Sequence, residues 1–159
     1  MHKDLDKNFL NPNQNFIKKK IKLVCVVFLF NYPNKVLLQH RDNNKNINHP
    51  NIWGPPGGHC DINEKPFDCA MRELKEETGY TLNNINYHST SSYTIDNQEP
   101  HIIMNFWNIY DNKQEISCFE GQEMKFINIH NLDQIKIFSY NLNLIKKIHK
   151  EIILKSNEK

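Results

Sequence analysis

The sequence predicts one domain of mixed α/β class, on the basis of three observations. Apolar runs of strand length are interspersed with two segments of helical periodicity. The chain has 159 residues, which is enough for one domain with a core of its own. The sequence shows neither an internal repeat nor a linker between domains.

The first predicted element is a strand at Ile21–Phe30, rich in Val and Phe and expected to be buried on both faces. A basic run precedes it, as in a signal peptide, but no small-residue cleavage site follows. The run is also too short for a bilayer, which needs about 20 residues. The turn at Asn31–Asn34 then leads into a hairpin partner at Val36–His40.

A helix is predicted in the middle of the chain. Asp42–Asn51 is polar and rich in asparagine, which indicates a loop, and Trp53–Gly58 is predicted to form a turn. The helix covers Lys65–Thr78 and ends at Gly79, because glycine readily adopts the left-handed conformation that closes a helix.

The second half of the chain adds three strands and a closing helix. Strands are predicted at Tyr87–Thr94 and Ile102–Tyr110, with a polar loop at Asp96–Pro100 between them, and at Met124–Ile129. Apolar residues at helical spacing then predict an amphipathic closing helix. Its apolar side consists of Leu142, Ile145, Ile148 and Ile152.

Composition narrows the function classes. A net charge of +2 and 24% charged residues give no strongly basic surface, so neither a stable nucleic-acid partner nor a membrane is expected. The four cysteines form no CxxC pair and are too few for a disulfide scaffold, which favours a reducing cytosol. The eight histidines are scattered, without an HExxH motif.

The predicted central helix carries two stripes. The apolar stripe consists of Phe67, Ala70, Met71 and Leu74. The acidic stripe consists of Glu73, Glu76 and Glu77. Like charges at this spacing repel each other, and the negative end of the helix dipole is close, so the acidic stripe is unfavourable without a positive partner. The alternative is an ordinary solvated acidic face.

The residues before the helix favour a metal site over a solvated face. Gly57 and Gly58 allow the backbone to approach a ligand closely. Backbone carbonyls beside clustered carboxylates suit a hard divalent cation. Mg²⁺ takes oxygen ligands and is usually held by a few carboxylates together with substrate phosphates.

These residues resemble the Nudix box. The pattern runs from Gly58 through five residues to Glu64, then through seven residues to Arg72-Glu73-Leu74-Lys75-Glu76-Glu77-Thr78-Gly79-Tyr80. Every fixed position of the family pattern is filled, and only Tyr80 replaces the usual aliphatic residue. The resemblance extends over residues 20–155, which leaves residues 1–19 as a mobile extension and 156–159 as a tail.

The resemblance implies an α/β/α sandwich around a mixed sheet, and Mg²⁺-dependent cleavage of diphosphate bonds, with Mn²⁺ as a substitute. It implies that Glu76, Glu77 and the carbonyl of Gly57 hold the metal, and that Glu73 is a ligand or the general base. Glu64 and Arg72 match positions that pair with each other and hold the loop on the helix, while Gly58 and Gly79 are structural.

Residues outside the box are expected to contribute as well. Glu120-Gly121-Gln122 resembles a segment of the members that cleave nucleoside triphosphates, of the 8-oxo-dGTP diphosphatase type. It makes Glu120 a candidate ligand or base; a plain surface loop is the alternative, and Glu123 is the fallback carboxylate. Arg41, one of only two arginines, is a candidate for substrate contact or a solvent-exposed residue. Asn141 is a candidate reader of a purine edge.

The resemblance leads to a functional hypothesis with two alternatives. We expect a cytoplasmic hydrolase, monomeric or homodimeric, that cleaves an ordinary, oxidised or non-standard nucleoside triphosphate to the monophosphate and pyrophosphate. The first alternative substrate is a nucleotide sugar or a dinucleoside polyphosphate. The second alternative is a nucleotide-binding module without catalysis, against which the complete carboxylate set argues.

Overall fold

The computed structural model describes residues 21–93 and 99–157. Seven strands form one sheet: β1 (Lys22–Asn31), β2 (Lys35–His40), β3 (Trp53–Gly54), β4 (Gly57–His59), β5 (Asn86–Tyr93), β6 (His101–Ile109) and β7 (Glu123–Asn128). The helices are α1 (Pro66–Thr78), a 3₁₀ helix (Ile129–Gln134) and α2 (Ser139–Asn157). The predicted strands and helices are all present, with ends within a few residues of the expected ones.

Strand β1 lies at the centre of the sheet and changes partner along its length. It pairs in parallel with β6 from Lys22 to Phe30. On its other side its first half pairs with β4, and its last two residues pair with β2; both pairings are antiparallel. Strand β2 also pairs with β3 and β7, and β6 pairs with β5. The opening between β2 and β4 contains the candidate site described below.

Both faces of β1 are buried, as expected from its apolar run. Side chains alternate between the two faces of a strand. Phe28 and Phe30 therefore pack under α2 and the 3₁₀ helix, whereas Val27 and Leu29 pack under α1. A mixed sheet with helices on both sides confirms the predicted α/β/α sandwich.

Helix α1 begins at Pro66, whose missing amide N–H costs nothing in a first turn. It ends at Gly79, which has a left-handed φ of 74° and donates its amide to the Lys75 carbonyl at 2.8 Å. The helix buries Cys69, Ala70 and Leu74 against the sheet. Phe67, predicted in the apolar stripe, is instead 46% exposed and meets Phe106 edge-on.

Helix α2 covers the other face with the predicted apolar side, in which Ile145, Ile148 and Ile152 are buried. It reaches Asn157 and so includes part of the segment assigned to the tail. The predicted extension at 1–19, and most of the predicted loop at 96–100, lie outside the described residues. None of the helices in the described ranges has the length and apolarity that crossing a bilayer requires.

Two local features differ from the prediction. Residues 53–58, expected as a turn, contain the short strands β3 and β4 on either side of two prolines. Proline has no amide to donate, so pairing is interrupted there but resumes on each side. The 3₁₀ helix was not predicted; the Asn128 side chain starts it by accepting a hydrogen bond from the His130 amide.

A disulfide joins Cys60 and Cys69, which the sequence analysis did not predict. Their Cα atoms lie 5.3 Å apart because the end of β4 and the first turn of α1 meet there. This separation is within the range of protein disulfides. The spacing in sequence gives no sign of this contact, since neither residue belongs to a recognisable cysteine motif.

Candidate active site

Glu77 is the central residue of the candidate site, and it is a buried carboxylate. It lies in the last turn of α1, is 4% exposed, and accepts a hydrogen bond from the Gly57 amide at 3.1 Å. Burial raises the pKa of Glu77 to about 8, with a further increase from the nearby charge of Glu120. The Gly57 hydrogen bond and the Arg41 charge oppose this shift only partly. Glu77 therefore lacks full compensation for a negative charge.

Glu73 lies one turn before Glu77 and shares the cleft with it. Burial raises its pKa, although Arg72 donates a hydrogen bond to the Glu73 Oε1 at 2.6 Å and opposes that rise. Its carboxylate rests against Gly58, where a β-carbon would lie 2.5 Å from Oε2. Glycine at position 58 is thus required for the observed place of the Glu73 carboxylate.

Gly57 has a φ of +146°, and a β-carbon on it would lie 2.2 Å from the Cys25 carbonyl oxygen. Only glycine fits this conformation and this contact with β1. The turn thereby places the Gly57 backbone beside the carboxylate of Glu77. The contact is made by the Gly57 amide, and the role of its carbonyl as a metal ligand stays a prediction.

Glu120 reaches the same cleft from the loop before β7. Its negative charge contributes to the raised pKa of both Glu77 and Glu73, so the three carboxylates lie near one another. Two backbone hydrogen bonds hold the loop. The Phe119 amide donates to the Glu77 carbonyl at 2.9 Å, and the Gln122 amide donates to the His40 carbonyl at 2.8 Å.

Glu76 and Glu123 lie away from this cluster. Glu76 is exposed and accepts a hydrogen bond from Arg72 at 3.0 Å, and it does not line the cleft. Glu123 is in β7, where Lys125 donates to both of its carboxylate oxygens. The metal role of Glu76 stays a prediction, and nothing in this arrangement favours the fallback Glu123 over Glu120.

Arg72 ties the loop after β4 to α1. Its Nε and Nη2 donate to the two oxygens of Glu64 at 2.7 and 2.8 Å, which is a bidentate ion pair. Nη2 also donates to the His59 carbonyl at 3.1 Å. These contacts hold the pKa of Glu64 at about 2, mainly through the Arg72 hydrogen bonds. Glu64 and Arg72 are thus paired as the family pattern implies, and their role in positioning the site stays a prediction.

The cleft has a volume of about 920 Å³, at the upper end of typical ligand pockets. Arg41 and Asn141, the two candidates for substrate contact, both line it. The Arg41 Nη2 donates to the Asn48 carbonyl, while its buried Nε has no hydrogen-bond partner among the described residues. Asn141 is in the first turn of α2. Its side-chain amide lies beside Gly54 of β3, which also lines the cleft.

The sequence analysis missed most of the apolar wall of the cleft. This wall includes Ile47, Ile52, Trp53 and Phe138 with the His49 ring beside them, and Val24, Val26 and Ile103 line the cleft as well. His49 and Phe138 meet edge-on with ring centroids 4.7 Å apart. Ile47 and Ile52 stand near or within an asparagine-rich loop without periodicity, so no pattern marks them. Trp53 lines the cleft as well, and its ring is stacked on His40.

The donor set fits a hard divalent cation. The carboxylates of Glu73, Glu77 and Glu120 supply oxygen ligands, with the Gly57 backbone beside them. Oxygen ligands of this kind are those that Mg²⁺ and Mn²⁺ prefer. A cation would also supply the charge that the buried Glu77 lacks. The ionised carboxylate of the buried Glu77 is therefore unfavourable in the metal-free protein, and a bound cation would make it favourable.

Comparison with known proteins decides the family. The sequence model of the NUDIX domain matches residues 20–154. The chain belongs to the NUDIX family. The m7GpppN-mRNA hydrolase NUDT17 of Xenopus laevis is 45% identical to it over 53 residues, which are 33% of this chain and 18% of that protein. This NUDIX chain thus matches less than a fifth of that relative's length.

Two further similarities complete the comparison. The RNA pyrophosphohydrolase of Bartonella clarridgeiae is 41% identical over 59 residues, 35% of this chain and 34% of that protein. The crystal structure of a MutT NUDIX hydrolase from Burkholderia pseudomallei has a TM-score of 0.69 at 18% identity. That alignment covers 80% of this chain and 97% of the other. It shows that this NUDIX chain has the family fold.

Proposed function

We propose that this NUDIX protein is a hydrolase that depends on a divalent metal and cleaves a diphosphate bond in a nucleotide. One observation carries the proposal: the buried carboxylate of Glu77 shares with Glu73 and Glu120 a cleft large enough for a nucleotide. The nearby Arg72 does not neutralise Glu77, because its hydrogen bonds go to Glu64, Glu73 and Glu76.

Glu73, Glu77, Glu120 and the Gly57 carbonyl would hold the metal, with Glu76 as a further candidate. When bound, Mg²⁺ neutralises phosphate charge and makes a bound water more acidic. The Arg41 guanidinium, with a free buried Nε in the cleft, is suited to hold a phosphate of the substrate. Of the acidic residues, Glu73 and Glu120 are the candidates to take the proton from the attacking water.

We favour a nucleoside triphosphate as the substrate. Water would attack a phosphorus of the chain and release a nucleoside monophosphate and pyrophosphate. The apolar wall of the same cleft suits a nucleobase, and the Asn141 amide can both donate to and accept from its edge. Nucleoside triphosphates with oxidised or non-standard bases belong to the same substrate class, because the amide side chain can match either a donor or an acceptor on the base edge.

A 5′–5′ linked nucleotide is the second candidate. It is favoured by the local similarity to NUDT17, a m7GpppN-mRNA hydrolase. The cleft extends beneath the long loop at Asp42–Asn51, whose Ile47, Asn48 and His49 line it, so a second nucleoside has somewhere to go. Nucleotide sugars stay in the test panel for the same reason.

We propose a cytoplasmic location and no stable nucleic-acid partner; a monomer or homodimer is expected.

The test is a product analysis over a panel of nucleoside triphosphates, capped dinucleotides, dinucleoside polyphosphates and nucleotide sugars, with Mg²⁺ and with chelator. We expect turnover only with metal, and pyrophosphate release from a triphosphate if the first candidate is right. Cleavage confined to the capped or dinucleoside compounds would favour the second candidate. Thermal stabilisation by nucleotides without any product would instead indicate a binding module.

A further inference from the structure

Three cysteine sulfurs meet on the α1 side of the sheet, outside the carboxylate cluster. Cys25 is in β1, Cys60 follows β4, and Cys69 is in α1. Their Sγ atoms all lie within 4.8 Å of one another. Cys60 and Cys69 form the disulfide, and the free Cys25 Sγ lies 3.3 Å from the Cys60 Sγ.

Regular backbone structure fixes all three positions. Cys25 lies opposite Gly58 in the pairing of β1 with β4. The Cys60 amide donates to the Leu23 carbonyl at 2.9 Å, and the Cys69 amide donates to the Lys65 carbonyl, also at 2.9 Å. The sulfurs therefore stay close together when the disulfide is reduced, because their positions depend on the sheet and the helix.

The spacing matches a metal–thiolate site. With Zn–S bonds of about 2.3 Å, sulfurs around one ion lie roughly 3.8–4.0 Å apart in tetrahedral or trigonal geometry. Breaking the disulfide would let Cys60 and Cys69 separate toward this distance, and the Cys25 Sγ already lies within 4.8 Å of both. Cys25 and Cys69 are fully buried, whereas Cys60 is partly exposed, which provides a route for an ion.

The chemistry separates this site from the carboxylate site. Thiolates select soft or borderline cations, whereas carboxylates and carbonyls select Mg²⁺ and Mn²⁺. Three thiolates around a divalent cation leave one negative charge. The Arg72 Nη2 lies 3.9 Å from the Cys69 Sγ, although this guanidinium also donates hydrogen bonds to Glu64, Glu73 and Glu76.

We propose that Cys25, Cys60 and Cys69 form a three-thiolate site for a thiophilic divalent cation, such as Zn²⁺ or Cd²⁺, when the Cys60–Cys69 disulfide is reduced. A dithiol reductant supplies two electrons and two protons, becomes a disulfide itself, and leaves three protein thiols. The cation then displaces three protons and forms three metal–sulfur bonds. Disulfide and metal exclude each other, since both use Cys60 and Cys69.

Such a site would join the elements that position the carboxylates. Strand β1 contacts Gly57, β4 contains Gly57, and α1 contains Glu73 and Glu77. The ion would link all three elements, whereas the disulfide links only the end of β4 to α1. The proposal does not depend on hydrolase activity, because its readouts are metal binding and stability.

The test uses full-length protein carrying Cys118→Ser, which removes the exposed fourth thiol. The protein is reduced, freed of reductant without air, and titrated with Cd²⁺ in excess Mg²⁺ so that the carboxylates are occupied. We expect one Cd²⁺ per chain, an ultraviolet thiolate-to-metal charge-transfer band, and a higher melting temperature. The same protein with its disulfide intact is the matched control and should show none of these three results.

Substituting the three cysteines one at a time tests how many of them bind the metal. Cys25→Ser, Cys60→Ser and Cys69→Ser should each lower the band by about one third and weaken Cd²⁺ binding, since each sulfur contributes its own bond. The ¹¹³Cd chemical shift of the unsubstituted site counts thiolates even where a variant does not fold. An absent band, a Cys25→Ser band of full intensity, or a shift that indicates two thiolates would overturn the proposal.

Discussion

At the scale of single residues, the account depends on a carboxylate in a place that disfavours its charge. Glu77 is buried, its neighbours Glu73 and Glu120 are also acidic, and only one amide and a distant guanidinium favour its ionised form. Such a residue lowers stability near neutral pH unless a cation joins it.

The first prediction concerns the pH dependence of stability in chelator. The pKa of Glu77 rises from 4.5 to about 8 on folding, so the folded protein keeps a proton that the unfolded chain has lost. The free energy of unfolding should therefore fall as the pH rises from 4.5 to 8, by up to a few kcal/mol at about 1.4 kcal/mol per pKa unit. Urea denaturation across this range measures it.

Glu77→Gln should make that fall shallower, because glutamine does not titrate, while Glu123→Gln on the exposed β7 position should leave it unchanged. Excess Mg²⁺ should also reduce the fall in the unsubstituted protein. If Glu77→Gln and the parent lose stability equally between pH 4.5 and 8, Glu77 is not the titrating group.

The second prediction concerns the close approach of Glu73 to Gly58. Gly58→Ala would place a β-carbon 2.5 Å from the Glu73 Oε2, so the carboxylate must move. We expect Mn²⁺ affinity to fall by about tenfold or more, because displacing a positioned group near a metal has effects of this size. Gly54→Ala is the matched control, since its nearest neighbour would be 3.8 Å away. Equal affinities of the two variants would contradict the assigned role of Glu73.

At the scale of elements, the loop from β4 to α1 is held by one arginine. Arg72 binds Glu64 through two parallel hydrogen bonds and also contacts Glu73, Glu76 and the His59 carbonyl. A planar fork can make these contacts at once, and a lysine ammonium cannot. This explains an arginine at this position in a chain that otherwise uses lysine almost throughout.

The third prediction is that Arg72→Lys destabilises the protein by about 1–3 kcal/mol, the size of lost charged hydrogen bonds. Loss of the exposed Lys146–Asp133 pair through Lys146→Gln should cost at most about 0.5 kcal/mol.

The pKa of Glu64 is about 2 in the folded protein, so its contribution to stability is present above pH 4.5 and is lost as the pH falls toward 2. The free energy of unfolding, measured at pH 3 and at pH 6, should show this loss in the parent protein and not in Glu64→Gln.

The elements also show what the sequence can predict. Strand β1 was predictable from its continuous apolar run, and helices α1 and α2 were predictable from apolar residues at helical spacing, with Gly79 marking the end of α1. The Cys60–Cys69 disulfide, the contact of Gly58 with Glu73, and the apolar wall with Ile47 and Phe138 were not. These are contacts between distant segments, and their distances are set by the packing of α1 and α2 on the sheet.

Within the Nudix box, too, the sequence does not determine which acidic residues are buried. The box supplies the three glutamates of α1, and a helix must place them on one side. Only the structure shows that Glu77 is buried while Glu76 is exposed beside Arg72. Burial depends on how the loop with Glu120 covers the end of the helix, which no local pattern contains.

At the scale of the whole molecule, the proposed function assigns chemistry and recognition to different parts of the cleft. The α1 side of the cleft provides Glu73 and Glu77, and the loop before β7 provides Glu120. The start of α2 and the Asp42–Asn51 loop provide Asn141 and the apolar wall. Substitutions on the two sides should therefore change different kinetic constants.

The fourth prediction tests this separation on the best substrate from the panel. Asn141→Ala should raise KM by about tenfold, the size of one lost hydrogen bond, with little change in kcat. Glu120→Gln should lower kcat by about 100-fold or more, as removal of a group that stabilises developing charge does. Glu123→Gln is the control and should change neither constant. An unchanged KM in Asn141→Ala would remove this residue from the substrate site.

The most direct test of the central claim is a Mn²⁺ titration followed by electron paramagnetic resonance, on the parent protein and on Glu77→Gln. We predict that the parent binds Mn²⁺, that Mg²⁺ displaces it, and that Glu77→Gln binds it at least about tenfold more weakly with its fold retained. Absence of Mn²⁺ binding even with nucleotide present, or equal affinity in Glu77→Gln, would contradict the account.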